Sequence, residues 1–251
     1  FGCWVEYQSL LSRINQQYTH ITSLHEYGIM FTGFSFMVYA FLNSYFGQHQ
    51  WHTYSLIVAL LLFLLLIAGD IFTGKFHFRN VLRSIAGLVY ISVSWALMID
   101  LRMKGMWDVG SYQVDLGWVV PMVLIASIWI NDTMAYLVGS MIGRTSLSSI
   151  SPNKTWEGTL GGALLSILVI TVGWYFCVTP TSWKEVAGIA LIAAVIGTCG
   201  DLLESKLKRM ANVKDSGSIL PGHGGFLDRF DSLILATPFT WLYIILLDRI
   251  Y

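Results

Sequence analysis

The sequence predicts an all-α integral membrane protein, a polytopic bundle of at least seven transmembrane helices with a cytoplasm-facing polar cavity. Three observations carry this expectation. Of 251 residues, 55% are hydrophobic and only 12% are charged, whereas a soluble domain is about a quarter charged. The apolar residues gather in seven runs close to the ~20 residues that a helix needs to cross a bilayer. Lysine and arginine concentrate in alternate connections between those runs.

The runs, in order, are Gly28–Phe46, Trp51–Gly69, Val81–Leu101, Gly117–Ile142, Thr159–Val178, Trp183–Gly200 and Leu233–Ile250. They are too long for strands and lack alternation with period two, so a helical reading holds for each. Pro238 falls inside the last and is a candidate kink. The chain opens on Phe1 rather than Met, with no basic-then-apolar signal pattern. The N-terminus is therefore expected to be incomplete and the helix count a minimum. No domain-sized repeat or low-complexity linker interrupts residues 1–251, which read as a single membrane domain with polar active-site segments at 131–158 and 201–232.

Orientation follows from the short connections. Lys75, Arg79 and Arg83 mark one loop, Arg144 and Lys154 the loop two crossings on, and Lys206, Lys208, Arg209, Lys214 and Arg229 the segment two crossings after that. Positive charge retained on one side makes that side cytoplasmic. The opposite connections carry Arg102, Lys104 and Lys184, balanced by Asp108, Asp115 and Glu185. A formal net charge of +0 gives no sign of nucleic-acid binding. The three cysteines, Cys3, Cys177 and Cys199, show neither CxxC nor zinc spacing.

Two segments are too polar for their surroundings. In "GDLLESKLKR", Asp201, Glu204, Ser205 and Lys208 recur at helical spacing and form one polar face. Downstream, Asp228 and Asp231 in "LDRFDS" stand three apart, on one face of the next helix. Ordinary capping and surface charge account for many such acids. At a membrane edge and beside so many cations, they suit a hard divalent ion such as Mg²⁺, which takes one or two carboxylates and shares substrate phosphates. Between the two faces lies "KDSGSILPGHGG", where Pro221, Gly222, Gly224 and Gly225 permit turns that can aim backbone N–H groups at an anion. No Walker A pattern is present. Flanked by Lys214 and Arg229, the turn reads as a phosphate cradle rather than a plain interhelical turn. His223 can bind a phosphate, relay a proton or cap a helix, and the sequence does not choose among these. In "SPNKTWEG", Ser151–Pro152–Asn153 reads as a turn, Lys154 as a phosphate contact or a plain positive-inside lysine, and Thr155 as a helix cap. Asp132 lies within the fourth apolar run, where an unpaired acid costs at least ~2.5 kcal/mol. It implies a polar cavity entering the bilayer from the cytoplasmic side, with Asn131 as a possible partner; a buried interhelical hydrogen bond is the simpler alternative.

These segments resemble a known family. "SKLKRMANVKDSGSILPGHGGFLDRFDS" (205–232) is similar, almost position for position, to the signature of the phosphatidate cytidylyltransferases, or CDP-diacylglycerol synthases. "SISPNKTWEGTLGG" (149–162) and "DTMAYLVG" (132–139) resemble that family's other polar blocks, while the first hundred residues resemble only a generic membrane bundle. The resemblance implies a bacterial inner-membrane enzyme, facing the cytoplasm, that joins CTP to phosphatidic acid and releases pyrophosphate. It also implies a homodimer among membrane lipids and Mg²⁺ held by Asp201 and Asp228, with a second, monovalent cation such as K⁺ conceivable nearby. On this reading Asp201, Asp228, Asp231, Lys214 and His223 are candidate catalytic residues. Asp132, Lys154, Ser205, Lys208, Arg209, Asp215, Gly222, Gly224, Gly225 and Arg229 are candidate substrate contacts. Two other readings compete: a CTP-dependent polyprenol kinase on a related scaffold, and a cation or proton transporter built around Asp132.

Overall fold

The computed structural model describes residues 1–46, 51–109, 112–178, 182–218 and 224–247. The chain divides into two compact units: Phe1–Met103 with Leu207–Phe230, and Lys104–Lys206 with Asp231–Tyr251.

The first unit begins with α1 (Gly2–Ile14) and a 3₁₀ turn (Gln16–His20). It continues with α2 (Ser23–Phe46), α3 (Trp51–Phe72), α4 (Phe78–Gly87), a π-helical turn (Leu88–Val93) and α5 (Ser94–Arg102). α2 packs along α3 and α5. In α1, Cys3, Trp4, Tyr7, Leu10 and Leu11 fall at helical spacing and are buried, which makes the short helix a one-sided wedge. Two of its aromatic side chains end in polar anchors: Trp4 Nε1 donates to Ser92 Oγ at 2.9 Å and Tyr7 OH to the Arg83 carbonyl at 3.0 Å. Aromatics are buried cheaply only when such polar tips find partners.

A second polar knot ties α2, α3 and α4 together. His25 Nδ1 pairs with Asp70 Oδ2, and His25 Nε2 lies 2.8 Å from Ser84 Oγ. Thr22 Oγ1 donates to Asp70 Oδ1 at 2.8 Å, and Tyr18 OH lies 3.2 Å from Ser84 Oγ. His25, Asp70 and Ser84 are all at most 2% exposed. Each finds partners, as buried polar groups must.

The second unit opens with an antiparallel hairpin, β1 (Met106–Val109) and β2 (Tyr112–Asp115), paired in the register Met106↔Asp115. Then come α6 (Leu116–Ile142), a second hairpin of β3 (Ser146–Ser148) and β4 (Ser151–Thr155), and α7 (Trp156–Cys177). α8 (Trp183–Met210) and α9 (Leu227–Leu247) follow, the last turn of α8 and the first of α9 belonging to the first unit. α7 folds back against α6 with little room to spare: a Cβ on Gly162 would come within 2.7 Å of the Ala135 backbone nitrogen. Lower down the same pair, Ser166 Oγ donates to the Ser127 carbonyl at 3.0 Å. Leu124, Ile189, Ala190, Ala193, Ala194, Ile234 and Ala236 form the buried core, while Trp129, Leu164, Leu168 and Phe176 are exposed. Large apolar side chains turned outward suit a hydrocarbon solvent.

Among the described residues, six helices are long and apolar enough to cross a membrane: Thr53–Phe72, Phe78–Arg102, Leu116–Ile142, Trp156–Cys177, Trp183–Met210 and Leu227–Leu247. They coincide with six of the seven expected runs. The other, Gly28–Phe46, lies in α2, whose first turns carry His25 and Glu26, and is not one of the six. α8 runs ten residues past the end of its apolar run, to Met210, as the polar periodicity of "GDLLESKLKR" requires. One local expectation is corrected. Ser151–Pro152–Asn153 is not the turn; it lies in β4, and the reversal falls at Ser149–Ile150, where Ser148 Oγ accepts the Ile150 N–H at 3.2 Å. Proline is admissible in a two-stranded ribbon because an edge position needs no donor.

Candidate active site

The second unit contains a cavity of about 510 Å³, lined among others by Asn131, Asp132, Tyr136, Lys154, Thr155 and Asp201. Its charged and amide lining comes from three elements. α6 supplies Asn131 and Asp132, the β3–β4 hairpin supplies Lys154, and α8 supplies Asp201. The hairpin is held at both ends. Thr155 Oγ1 caps α7 by accepting the Gly158 N–H at 3.1 Å, as the sequence predicts, and Glu157 Oε2 accepts the N–H groups of Arg144 and Thr145, each at 3.1 Å. Lys154 is thus carried on a fixed strand. Its Nζ pairs with Asp201 Oδ2, and the two side chains remain 29% and 27% exposed. Ser205 Oγ, one helical turn on, donates to Asp201 Oδ1 at 3.2 Å. Asn131 Nδ2 makes a long contact with Asp132 Oδ1 at 3.4 Å. Asn131 Oδ1 is buried without a hydrogen-bond partner among the described residues.

The charge of this cavity constrains what it can hold. Its formally charged lining residues are two carboxylates, Asp132 and Asp201, and one ammonium, Lys154. A polyphosphate entering alone would meet a net negative wall. The hard oxygen donors fit a divalent cation, which would reverse that balance.

The first unit holds a different polar centre, around the start of α9. Asp228 is 11% exposed, and its Oδ1 accepts Lys208 Nζ at 2.6 Å. Its Oδ2 accepts the Ser216 N–H at 2.9 Å, Ser216 Oγ at 2.9 Å and the Gly225 N–H at 2.8 Å. Gly224 has φ +79°, and a Cβ there would stand 2.9 Å from Asp228 Oδ2, so glycine answers both the backbone geometry and the close approach. The next two N–H groups, of Phe226 and Leu227, donate to Glu6 of α1. The anion-binding donors of this segment therefore face carboxylates of the chain itself.

The predicted residues fall into distinct groups. Asp132, Lys154, Asp201 and Ser205 gather in or beside the cavity, while Lys208, Gly224, Gly225 and Asp228 gather around α9's first turn. Arg209, Lys214, Asp215 and Arg229 are exposed, with Arg209 Nη1 donating to the Val213 carbonyl at 3.3 Å. Asp231 is 9% exposed. Pro221, Gly222 and His223 lie outside the described residues. Among the described residues, no three His, Cys, Asp or Glu side chains gather as an all-protein metal cage. Glu6, Ser216 and the free carboxamide oxygen of Asn131 were not anticipated as site features.

The cytidylyltransferase family matches residues 1–247. The chain belongs to that family. Several relatives are named phosphatidate cytidylyltransferase. One from Synechocystis sp. is 43% identical over 133 residues, covering 52% of this chain and 45% of the relative. One from Staphylococcus aureus is 37% identical over 166 residues, covering 66% and 59%. A third, from Bacillus subtilis, is 45% identical over 120 residues, covering 47% and 45%. The chain thus aligns with about half the length of the curated relatives it matches.

Proposed function

We propose that this protein is a phosphatidate cytidylyltransferase of the cytoplasmic membrane, converting CTP and phosphatidic acid to CDP-diacylglycerol and pyrophosphate on the cytoplasmic side. The observation that carries this reading is the Lys154–Asp201 pair in a polar cavity walled by membrane-length helices. A water-soluble nucleotide and an acyl-anchored phosphate can meet only where headgroups meet water. Family membership and the relatives' names agree with it.

In the proposed reaction, a phosphate oxygen of phosphatidic acid attacks the α-phosphorus of CTP in line. The bond from that phosphorus to the bridging oxygen of the β-phosphate breaks, and pyrophosphate departs with the electron pair. The nucleophile is already anionic, so positioning and charge stabilisation supply the rate, without a covalent enzyme intermediate. Lys154 directs its ammonium at the phosphates, and Asn131 and Asp132 line the deeper wall. Lys208, Arg209, Lys214 and Arg229 serve the second polyanion. Mg²⁺ would be held by carboxylate, with Asp201 the candidate ligand in the second unit and Asp228 the candidate in the first. Bound Mg²⁺ supplies neutralisation of the charge growing on the pyrophosphate. The reading extends to a monovalent ion such as K⁺ beside the divalent one and to a homodimer, tested by K⁺ titration of turnover and by mass determination in detergent.

The test is reconstitution of the purified chain with phosphatidic acid, CTP and Mg²⁺, with lipid products identified by mass spectrometry. CDP-diacylglycerol with equimolar pyrophosphate is expected. Ion flux across the proteoliposomes without CTP consumption would favour a transporter instead.

A further inference from the structure

Resting on the nucleotide-transfer reading above, we infer that Glu6 is a positioning residue of the active site, fixing Asp228 and the glycine-rich turn from the opposite end of the chain. Glu6 is only 3% exposed, on a helix face otherwise made of Cys3, Trp4, Tyr7 and Leu10. A carboxylate buried there is tolerated only with strong partners. All of those identified belong to one segment. Oε1 accepts the Phe226 N–H at 2.8 Å, while Oε2 accepts the Leu227 N–H at 2.8 Å and Ser216 Oγ at 2.7 Å. Phe226 immediately precedes α9 and Leu227 opens it, at the end where N–H groups lack intrahelical acceptors and the helix dipole favours an anion. Glu6 therefore acts as a helix cap supplied from 220 residues away.

The link to Asp228 runs through Ser216. Its Oγ stands 2.7 Å from Glu6 Oε2 and 2.9 Å from Asp228 Oδ2. A hydroxyl has one proton to give, so the two carboxylates share a single donor and the placement of each depends on the other. The packing is specific to a carboxylate at this point: a Cβ on either Gly217 or Gly225 would overlap Glu6. The glycines of this turn thus make room for an internal acid as well as for the turn's own geometry. Glu6 does not touch the reacting atoms in this scheme; it orders Asp228, the candidate metal ligand.

The experiment compares wild type with Glu6→Gln and Glu6→Asp, each as the full chain in detergent. It measures Mn²⁺ binding by electron paramagnetic resonance, the Mg²⁺ midpoint of turnover, and KM and kcat for CTP. Loss of a charge-assisted hydrogen bond corresponds to roughly a tenfold change. Glu6→Gln, with wild-type elution and helix content, should raise the Mn²⁺ dissociation constant and the Mg²⁺ midpoint by that factor, and Glu6→Asp should recover part of it. A purely structural acid would lower the melting temperature and leave both metal midpoints of the folded protein unchanged. That result overturns the inference. Should Glu6→Gln fail to fold, Ser216→Ala removes the shared hydroxyl while leaving both backbone caps, and it must shift the same midpoints; unchanged midpoints there overturn the inference equally. Wild-type protein that neither binds Mn²⁺ nor turns over overturns the transfer reading itself, whereas normal wild-type signals unmoved by the variants overturn the role of Glu6 alone.

Discussion

Replacing Lys154 with Met separates the stabilising and catalytic roles of one side chain. The methylene stem is kept and the ammonium is lost, together with its pair to Asp201. Both partners are more than a quarter exposed, so solvent screens the pair and its worth to folding is at most ~1 kcal/mol. Asp201 also keeps the Ser205 hydroxyl at 3.2 Å. In a protein of this size that loss moves the melting temperature by roughly 2–4 °C. The catalytic cost is of another order. Removing one preorganised charge from a site of developing anionic charge lowers turnover by about 10²–10³. Thermal melts in detergent, run beside kcat/KM for CTP, give both numbers on one preparation. An activity loss below about tenfold, or a loss that merely follows the fraction unfolded, would refute the assignment of Lys154 to phosphate.

Other outcomes follow from the same structure. Asn131→Leu removes a carboxamide that is 3% exposed and has an unpartnered Oδ1. Because an unsatisfied buried acceptor costs ~1–3 kcal/mol, the melting temperature should hold or rise while KM for CTP increases; an unchanged KM would make Asn131 a packing residue. Asp70→Ala leaves His25 and Thr22 without their acceptor, and each buried donor left unsatisfied should cost ~1–3 kcal/mol, read as a large fall in melting temperature. Burial pushes the Cys3 thiol up to about 11, so it stays protonated and unreactive in the folded protein at pH 8. Maleimide labelling followed by mass mapping should find Cys3 blocked until the pH approaches that value or the protein is denatured, when an ordinary pKa near ~8.5 returns. Labelling of folded protein at pH 8 would contradict its burial.

Much of the candidate site is legible in the sequence because it is local. Asp201, Ser205 and Lys208 announce themselves by helical spacing, Thr155 by the cap position before an apolar run, and Asp132 by an acid in a membrane-length segment. Contacts between distant parts of the sequence left no such trace. Glu6 is a single acid in a short apolar stretch, and its Ser216 partner lies 210 residues away; no periodicity or motif connects them. From sequence the glycine-rich turn reads as donors waiting for phosphate, since sequence shows donors but not which acceptors reach them. Three of its N–H groups face the carboxylates of Asp228 and Glu6. The reversal before α7 falls two residues ahead of the turn that the sequence predicts, because Pro152 signals a turn in general but is equally at home on an edge strand.

The position of the label in the product tests the central claim most directly. Purified protein is given phosphatidic acid and Mg²⁺ with CTP labelled either at the α- or at the γ-phosphate. Cytidylyl transfer puts the α-label into the lipid and the γ-label into pyrophosphate. Lipid carrying the γ-label, with CDP released, would mean phosphoryl transfer and contradict the account.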